Sequence, residues 1–382
     1  MKDNTITKLK TLAKLFLKLG FVAFGGPAAH IAMLEDEVVE KRKWMTRDHF
    51  LDLVGATNLV PGPNSTEMTM HVGYQYAGVL GLFTAGICFI GPAVLLTGIL
   101  AYLYIEYGEL PAIAPFLLGI KPAVLAIIVG AIYKLGKKAL KSWQLGLIGA
   151  LVVIANFMGI SEVACILGGG FLGMLWASAR EGKTLRSYAP ILLFWFSTAG
   201  VKLTTTNLFL VFLKVGAVLF GSGYVLVAYL DGELVEKLGW LSKSELLDAI
   251  AIGQFTPGPV LSTATFVGYQ IQGWQGAIAA TLGIFLPSFL FVWILNPLIP
   301  KLRSSKITAA FLDAVNVAAV AVMIVVTLML AKEVLFPNEY LIDWRATAIA
   351  AISTYVYFFQ KKVSVVWLVF GGAVLGWLFS MI

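Results

Sequence analysis

Charge is what this sequence has least of. Of 382 residues, 28 are Lys or Arg and 21 are Asp or Glu, 13% together, against about 25% in an average soluble protein. They are also bunched. Residues 249–300 carry none, and neither do 68–105, 142–161, 163–179, 314–331 or 363–382. A bilayer core of about 30 Å takes roughly 20 apolar residues in helix, and several of these stretches reach or exceed that length. A soluble globular enzyme is excluded, as are disordered and fibrous chains. The two cysteines, Cys88 and Cys165, both lie in apolar stretches and read as free thiols, without metal-ligand spacing. Neither a nucleophile elbow nor a Walker A loop is found, so no enzyme activity, no cofactor, no metal and no ATP-driven pumping is expected. Period-two alternation, the mark of a membrane β-barrel, is missing too. The net charge of +7 does not point to nucleic acid, because the basic residues cluster between apolar runs as orienting loops do. No removed signal peptide is read in residues 1–20.

What is present is hydrophobicity, 59% of residues with a mean hydropathy of +0.86, and a repeat. An offset of 196 lays FLKLGFVAFGG, from Phe16, on FLKVGAVLFGS, from Phe212. Glu37, Glu40, Lys41 and Trp44 fall on Glu233, Glu236, Lys237 and Trp240, Asp52 on Asp248, and Pro61-Gly62-Pro63 on Pro257-Gly258-Pro259. After one deletion the offset is 195, and Gly73, Gly78, Gly81 and Pro92 fall on Gly268, Gly273, Gly276 and Pro287. The expected fold is an all-α polytopic membrane protein of two homologous halves, 1–180 and 205–382, joined by 181–204. Lys and Arg in short loops mark the cytoplasmic side. Loops 134–141 and 180–186 are basic, while those near Glu106 and Glu162 are acidic. In the second half the signs exchange: 301–306 is basic, 338–343 is acidic, and Lys361-Lys362 stands opposite Glu162. That exchange predicts inverted-topology repeats. The uncharged 187–201 serves as a short crossing between them. Ten to twelve membrane helices are expected, some of them broken.

The breaks are where the sequence says most. A helix capped by Thr46 or Ser242 runs about 14 residues, about 21 Å, before meeting Pro-Gly-Pro, and a second arm follows, 64–77 in the first half. Gly25-Gly26-Pro27 and its counterpart Gly221-Ser222-Gly223 interrupt the first helix of each half. Broken backbone at membrane depth is tolerated where it is buried in protein or lines a cavity, and a helix starting there aims unpaired N–H groups inward. Four such starts, after Pro27, Gly223, Pro63 and Pro259, predict an anion cage. Asn64, Ser65, Thr66, Ser262 and Thr263 are its side-chain donors, and Asn58 and Gln254 sit at equivalent depth. The plainer alternative, a packing kink at each break, stands beside it.

Ionisable residues in spans are functional candidates. Lys121 reads either as a countercharge for the anion or as a salt bridge to a neighbouring helix. Asp313 reads as a proton carrier or the partner of Lys121. Glu67 and His71, four residues apart on one helix face, read as a proton relay or as a structural pair. Lys18/Lys214 and Asp52/Asp248 recur in both halves, the aspartates most simply as helix ends. Trp44 and Trp240 read as interface anchors, and Gly169-Gly170 and Gly371-Gly372 as close helix packing.

The ordered set — Gly25-Gly26-Pro27, then Glu37, Glu40 and Trp44, then Pro61-Gly62-Pro63, then Gly73, Gly78 and Gly81, then Pro92 — occurs twice. It resembles the chromate ion transporter family in its long, two-domain form. The resemblance covers nearly the whole chain and is strongest at 16–105 and 212–300. It implies a multi-pass protein of the bacterial or archaeal plasma membrane that exports chromate, confers chromate resistance and draws on the proton motive force. The family motif positions carried over are Gly25, Gly26, Pro27, Pro61, Gly62, Pro63, Gly221, Pro257, Gly258 and Pro259. The second copy departs at Ser222-Gly223, so the halves are expected to bind unequally. Sulfate is near-isosteric with chromate, so an oxyanion or sulfate transporter stays open, as do an uncoupled anion channel, a membrane sensor, and a monomer or homodimer in the lipid bilayer.

Overall fold

Prolines and glycines decide where the helices of this chain begin and turn. The computed structural model describes residues 2–24, 26–57, 60–108, 110, 114–181, 202–220, 223–296, 306–337, 341–360 and 363–381. In the first half, α1 (Lys2–Val22) stops before Gly26, and α2 (Pro27–Glu35) restarts with Pro27 in its first turn, where a missing N–H costs nothing. A π-helical turn, Asp36–Lys41, follows, and then α3 (Arg47–Thr57), α4 (Asn64–Tyr107), α5 (Ala114–Ala139), α6 (Trp143–Phe157) and α7 (Glu162–Glu181). The second half repeats the order. It has α8 (Thr205–Val218), a 3-10 turn (Gly223–Val225), α9 (Leu226–Leu230), a π-helical turn (Asp231–Lys237) and α10 (Lys243–Phe255). A second 3-10 turn (Val260–Ser262) leads into α11 (Thr263–Leu295), α12 (Lys306–Leu335), α13 (Trp344–Phe359) and α14 (Val365–Ser380). Among the described residues there is no strand.

The protein is an all-α polytopic membrane protein. Five helices among the described residues are long and apolar enough to cross a bilayer, and 143–157, 205–218 and 365–380 are shorter apolar helices. The expected crossing at 187–201 lies outside the described residues. Two of the five long helices are hairpins. α4 leaves helical geometry at Ala77 (φ −144°, ψ 24°) and Gly78 (φ 64°, ψ −152°), and α11 does so at Gln272 (φ −148°, ψ 31°) and Gly273 (φ 57°, ψ −148°). That second conformation is essentially closed to residues with a side chain. The two limbs of α4 then pack back to back, with Gly73 against Gly81: a methyl on either would strike the other's carbonyl, and Gly268 and Gly276 repeat the contact. The glycine motif of the sequence is therefore a hairpin, and its first limb, 64–76, is about 20 Å long, too short to cross.

α1 packs along α4 at Gly20, where an added methyl would come within 2.7 Å of the Phe89 carbonyl, and α8 packs along α11 at Gly216, which faces the Ile284 carbonyl. The late helices cross over between halves. Gly149 of α6 and Gly169 and Gly173 of α7 lie on Val317, Ala318 and Ala314 of α12, while Gly119 and Gly130 of α5 meet Gly372 and Gly376 of α14 and Tyr357 of α13. Three of the four late glycines read as packing positions are at such contacts; Gly371 faces open space. The equivalent helices α5 and α12 run antiparallel. Lys141 meets Asp313 at 2.6 Å, Ala139 clusters with Val317 and Val320, and Gly136 lies beside Val320. The main core draws on both halves, as with Ile127, Val211, Phe266, Ile284 and Met323, while Leu12, Phe16, Phe50, Met68 and Phe89 form a separate cluster in the first half.

Candidate functional site

The interruptions of the two halves meet. Gly62 N–H donates to the carbonyl of Leu219, at the end of α8, over 2.7 Å, and Gly258 N–H donates to the carbonyl of Ala23, at the end of α1, over 2.8 Å. Each Pro-Gly-Pro loop is therefore tied to the first break of the other half. Gly26 (φ 81°) faces the Tyr224 hydroxyl across the same junction, at 3.8 Å from where its Cβ would be, and Gly223 packs on Val260. All four breaks therefore lie in one place. Gly25, Gly221, Ser222 and Asn58 lie outside the described residues.

The helices that start here are uncapped. α2 follows Gly26, α4 follows Pro63 and α11 follows Ser262, none with a side-chain cap. By contrast α6, α8, α10 and α13 begin at Ser142, Thr204, Ser242 and Asp343, each accepting from a first-turn N–H. Ser242 and Glu245 form the expected capping box, and Thr46 accepts from His49 N–H at 3.3 Å. α2, α4 and α11 thus begin at the junction without a side-chain acceptor, as α14 does after Ser364, and the positive end of such a helix favours an anion. The exception in strength is the start at Gly223, which opens only a 3-10 turn and the five-residue α9.

The side-chain donors divide. Asn64 is half-buried at the start of α4. Ser65 is buried and held by His30, whose Nδ1 is 3.2 Å from Ser65 Oγ and whose Nε2 is 2.9 Å from the Ala23 carbonyl. A carbonyl only accepts, so Nε2 carries the hydrogen and Ser65 donates to Nδ1. Thr97 donates to Ser262 Oγ at 3.2 Å, Thr263 donates to the Val260 carbonyl at 2.8 Å, and the buried Thr66 hydroxyl has no hydrogen-bond partner among the described residues. Gly223, Tyr224, Gln254, Val260 and Thr263 line a small cavity of about 10 Å³, room for about one water. A tetrahedral ion with four oxygens does not fit that cavity.

The ionisable residues are placed as follows. Lys121 is in an ion pair: its Nζ is 3.4 Å from Asp248 Oδ2 and bonds Ser244 Oγ at 2.5 Å, while the Tyr104 hydroxyl donates to the same Asp248 oxygen at 2.6 Å. Of its two readings the structure has the salt bridge, and Asp248 is a buried partner rather than a plain helix end. Asp313 bonds Lys141, not Lys121, because α12 runs antiparallel to α5 and its first turns meet the far end of that helix. Glu67 and His71 are fully buried on α4; the Glu67 carboxylate has no hydrogen-bond partner among the described residues, and His71 lies beside the Asn296 amide. Lys18 pairs with Glu37 at 3.3 Å and Lys214 with Glu233 at 2.6 Å, so the first glutamate of the shared motif fastens the returning arm to the first helix of its half. Trp44 and Trp240 donate backbone N–H to Val38 and Leu234, both at 2.8 Å, and Trp44 stacks on Tyr76. His30, Thr97, Tyr224 and Ser288 were not read from the sequence. Only His30 carried a signal, as an ionisable residue in an apolar arm.

The chromate transporter family model matches the chain twice, at residues 10–174 and 206–377. The chain belongs to the chromate transporter family. Both matches of that family model cover one complete set of the interruptions described above. Among relatives, the "Probable chromate transport protein" of Synechococcus elongatus is 32% identical over 326 residues, 81% of this chain and 81% of that protein. The "Chromate transport protein" of Cupriavidus metallidurans is 30% identical over 378 residues, 96% of this chain and 92% of that protein. That of Pseudomonas aeruginosa is 30% identical over 378 residues, 95% and 90%. No solved structure matches. Members of this family are transport proteins, not enzymes.

Proposed function

We propose that the protein is a secondary active transporter that carries chromate, a doubly negative tetrahedral oxyanion, out of a prokaryotic cell across the plasma membrane. The proton motive force drives export, and export confers chromate resistance. The observation that carries this reading is the meeting of four helix interruptions from two homologous halves, with uncapped helices starting at the junction. Backbone amides and the positive ends of helices suit an anion, and they spread its charge over donors from both halves. The contacts are the backbone at Gly25, Gly26, Pro27, Pro61, Gly62, Pro63, Gly221, Ser222, Gly223, Pro257, Gly258 and Pro259. Asn64, Ser65, Thr66, Ser262 and Thr263 supply side chains. Lys121, committed to Asp248, is outside this set.

The halves are inverted across the membrane, a reading supported by the antiparallel run of α5 against α12 and by the exchange of loop charge between halves. The bonds from Gly62 to Leu219 and from Gly258 to Ala23 join one half to the other. Rocking the halves apart on one side strains these bonds and opens the junction to that side, which is alternating access. The names of the relatives favour chromate, and sulfate is the rival oxyanion.

Uptake of labelled chromate into proteoliposomes of the purified protein tests this, at two pH values and with sulfate as competitor. Accumulation above the external concentration under an imposed proton gradient is expected. Mere equilibration identifies an anion channel. Absence of any flux leaves a sensor or scaffold and ends the transport reading.

A further inference from the structure

Glu67 stands one turn inside α4, beside the Pro-Gly-Pro loop. It is 0% exposed, as are Thr66 and Ser288. A methyl on Gly62 would collide with both the Glu67 carboxylate and the Ser288 hydroxyl, so these two side chains crowd one Cα at the junction, Glu67 from the first half and Ser288 from the second. Neither carboxylate oxygen has a hydrogen-bond partner among the described residues, and neither do Thr66 Oγ1 and Ser288 Oγ. The second half lacks this arrangement: the offset of 195 puts Ser262 opposite Glu67 and Ala93 opposite Ser288.

Among the described residues no cation balances the site. α11 and the 3-10 turn before it have no charged residue. On α1, Lys14 and Lys18 are exposed, and Lys18 is held by Glu37. On α2, Glu35 is paired with Arg47, and His30 is bonded to Ser65 and Ala23. The charged residues and the histidine of α3 are exposed, Asp248 of α10 is paired with Lys121, and His71 lies one turn further along α4. An ionised carboxylate left in apolar surroundings without a partner is strongly disfavoured, and such a group takes up a proton instead.

We infer that Glu67 is a proton-binding site built into the junction. It holds a proton whenever the two halves close and releases it when the first turn of α4 opens to water. The protonated carboxyl is then a donor, beside the Ser288 hydroxyl that crowds the same Gly62 Cα. The proton comes from the water that the opening admits and returns to it, with no other group consumed. The place of this step in a transport cycle rests on the function proposed above, whereas the protonation itself does not.

Infrared spectroscopy of the whole protein in lipid reads it directly. The carbonyl stretch of a protonated carboxylic acid is expected at neutral pH in the wild type. Its Glu67 component, read as a difference against other buried acids such as Asp231, should be lost in Glu67→Gln, kept but displaced in Glu67→Asp, and shifted in frequency by Ser288→Ala. In proteoliposomes, chromate–chromate exchange by the wild type is expected to vary with pH, and E67Q should flatten that profile. A wild type without the band, or a band that survives E67Q unchanged, overturns the assignment. So does an E67Q or E67D protein that keeps the wild-type pH profile. A wild type that shows the band yet exchanges no chromate removes the transport reading and leaves the proton site standing. If E67Q does not fold, the E67D displacement and the wild-type titration of the band decide the question.

Discussion

Three glycines in comparable apolar helices should respond to alanine in three different ways. At Gly73 the backbone is helical, but the new Cβ strikes the Gly81 carbonyl and comes within 2.6 Å of Ala85 Cβ. Overpacking of this kind costs about 1–3 kcal/mol. At Gly78 nothing lies within 4 Å of a Cβ, but φ is 64° and ψ −152°, so the penalty is conformational, also about 1–3 kcal/mol. At Gly168 the helix is ordinary and the space is open, and Ala gains about 0.5–1 kcal/mol. A loss of about 2 kcal/mol changes the folded-to-unfolded ratio roughly thirty-fold, well within what unfolding in mixed detergent resolves. Because Gly73 and Gly81 contest one contact, the double variant Gly73→Ala/Gly81→Ala should cost less than the sum of the two singles. The same order, Gly268 and Gly273 destabilised, should hold in the second half. If Gly78→Ala proves as harmless as Gly168→Ala, the chain does not reverse at that residue. If the Gly73 and Gly81 effects simply add, the limbs do not touch there.

Other perturbations test other joints. Lys121→Ala strands Asp248, which is only 4% exposed at its side chain. Breaking such a pair costs about 3–5 kcal/mol, less here because the Tyr104 hydroxyl remains, and Asp248→Asn in the same chain should recover most of it in an unfolding assay. Lys214→Met should destabilise far more than Lys18→Met: the first lysine is 10% exposed and the second 62%, and exposed pairs contribute about 0–1 kcal/mol. With Cys88 and Cys165 replaced, single cysteines at 137 and 332, equivalent positions in the two halves, should be labelled from opposite faces in oriented vesicles, and labelling from one face removes the inverted arrangement.

Much of this was legible in the sequence because a duplicated chain states its own punctuation twice. Pro-Gly-Pro, the break at Gly26 and the glycines at 73, 78 and 81 each mark a backbone event that local chemistry dictates. The structure puts a loop, a helix start and a hairpin there. The partners across the junction were not legible. That Gly62 bonds Leu219 and Gly258 bonds Ala23 depends on how two halves meet, and no local pattern encodes it. Lys121 shows the same limit from the other side. Its cost in an apolar helix was evident, but its partner Asp248 lies 127 residues away, on α10. Hydroxyl-rich turns also promised more donors than the fold leaves open, since Ser65 and Thr263 are occupied by neighbours close in the fold.

The exchange of α6 and α7 onto α12, and of α13 and α14 onto α5, has a consequence for the chain as a unit of inheritance and assembly. A severed half would leave α5 or α12 bare along one flank, with its own closing pair reaching for a helix it does not possess. Cut between 182 and 201, the two pieces would each be incomplete alone yet fit each other, so co-expression should rebuild what neither gene fragment can make. The duplication is in this sense a clasp: each copy supplies the other's missing wall.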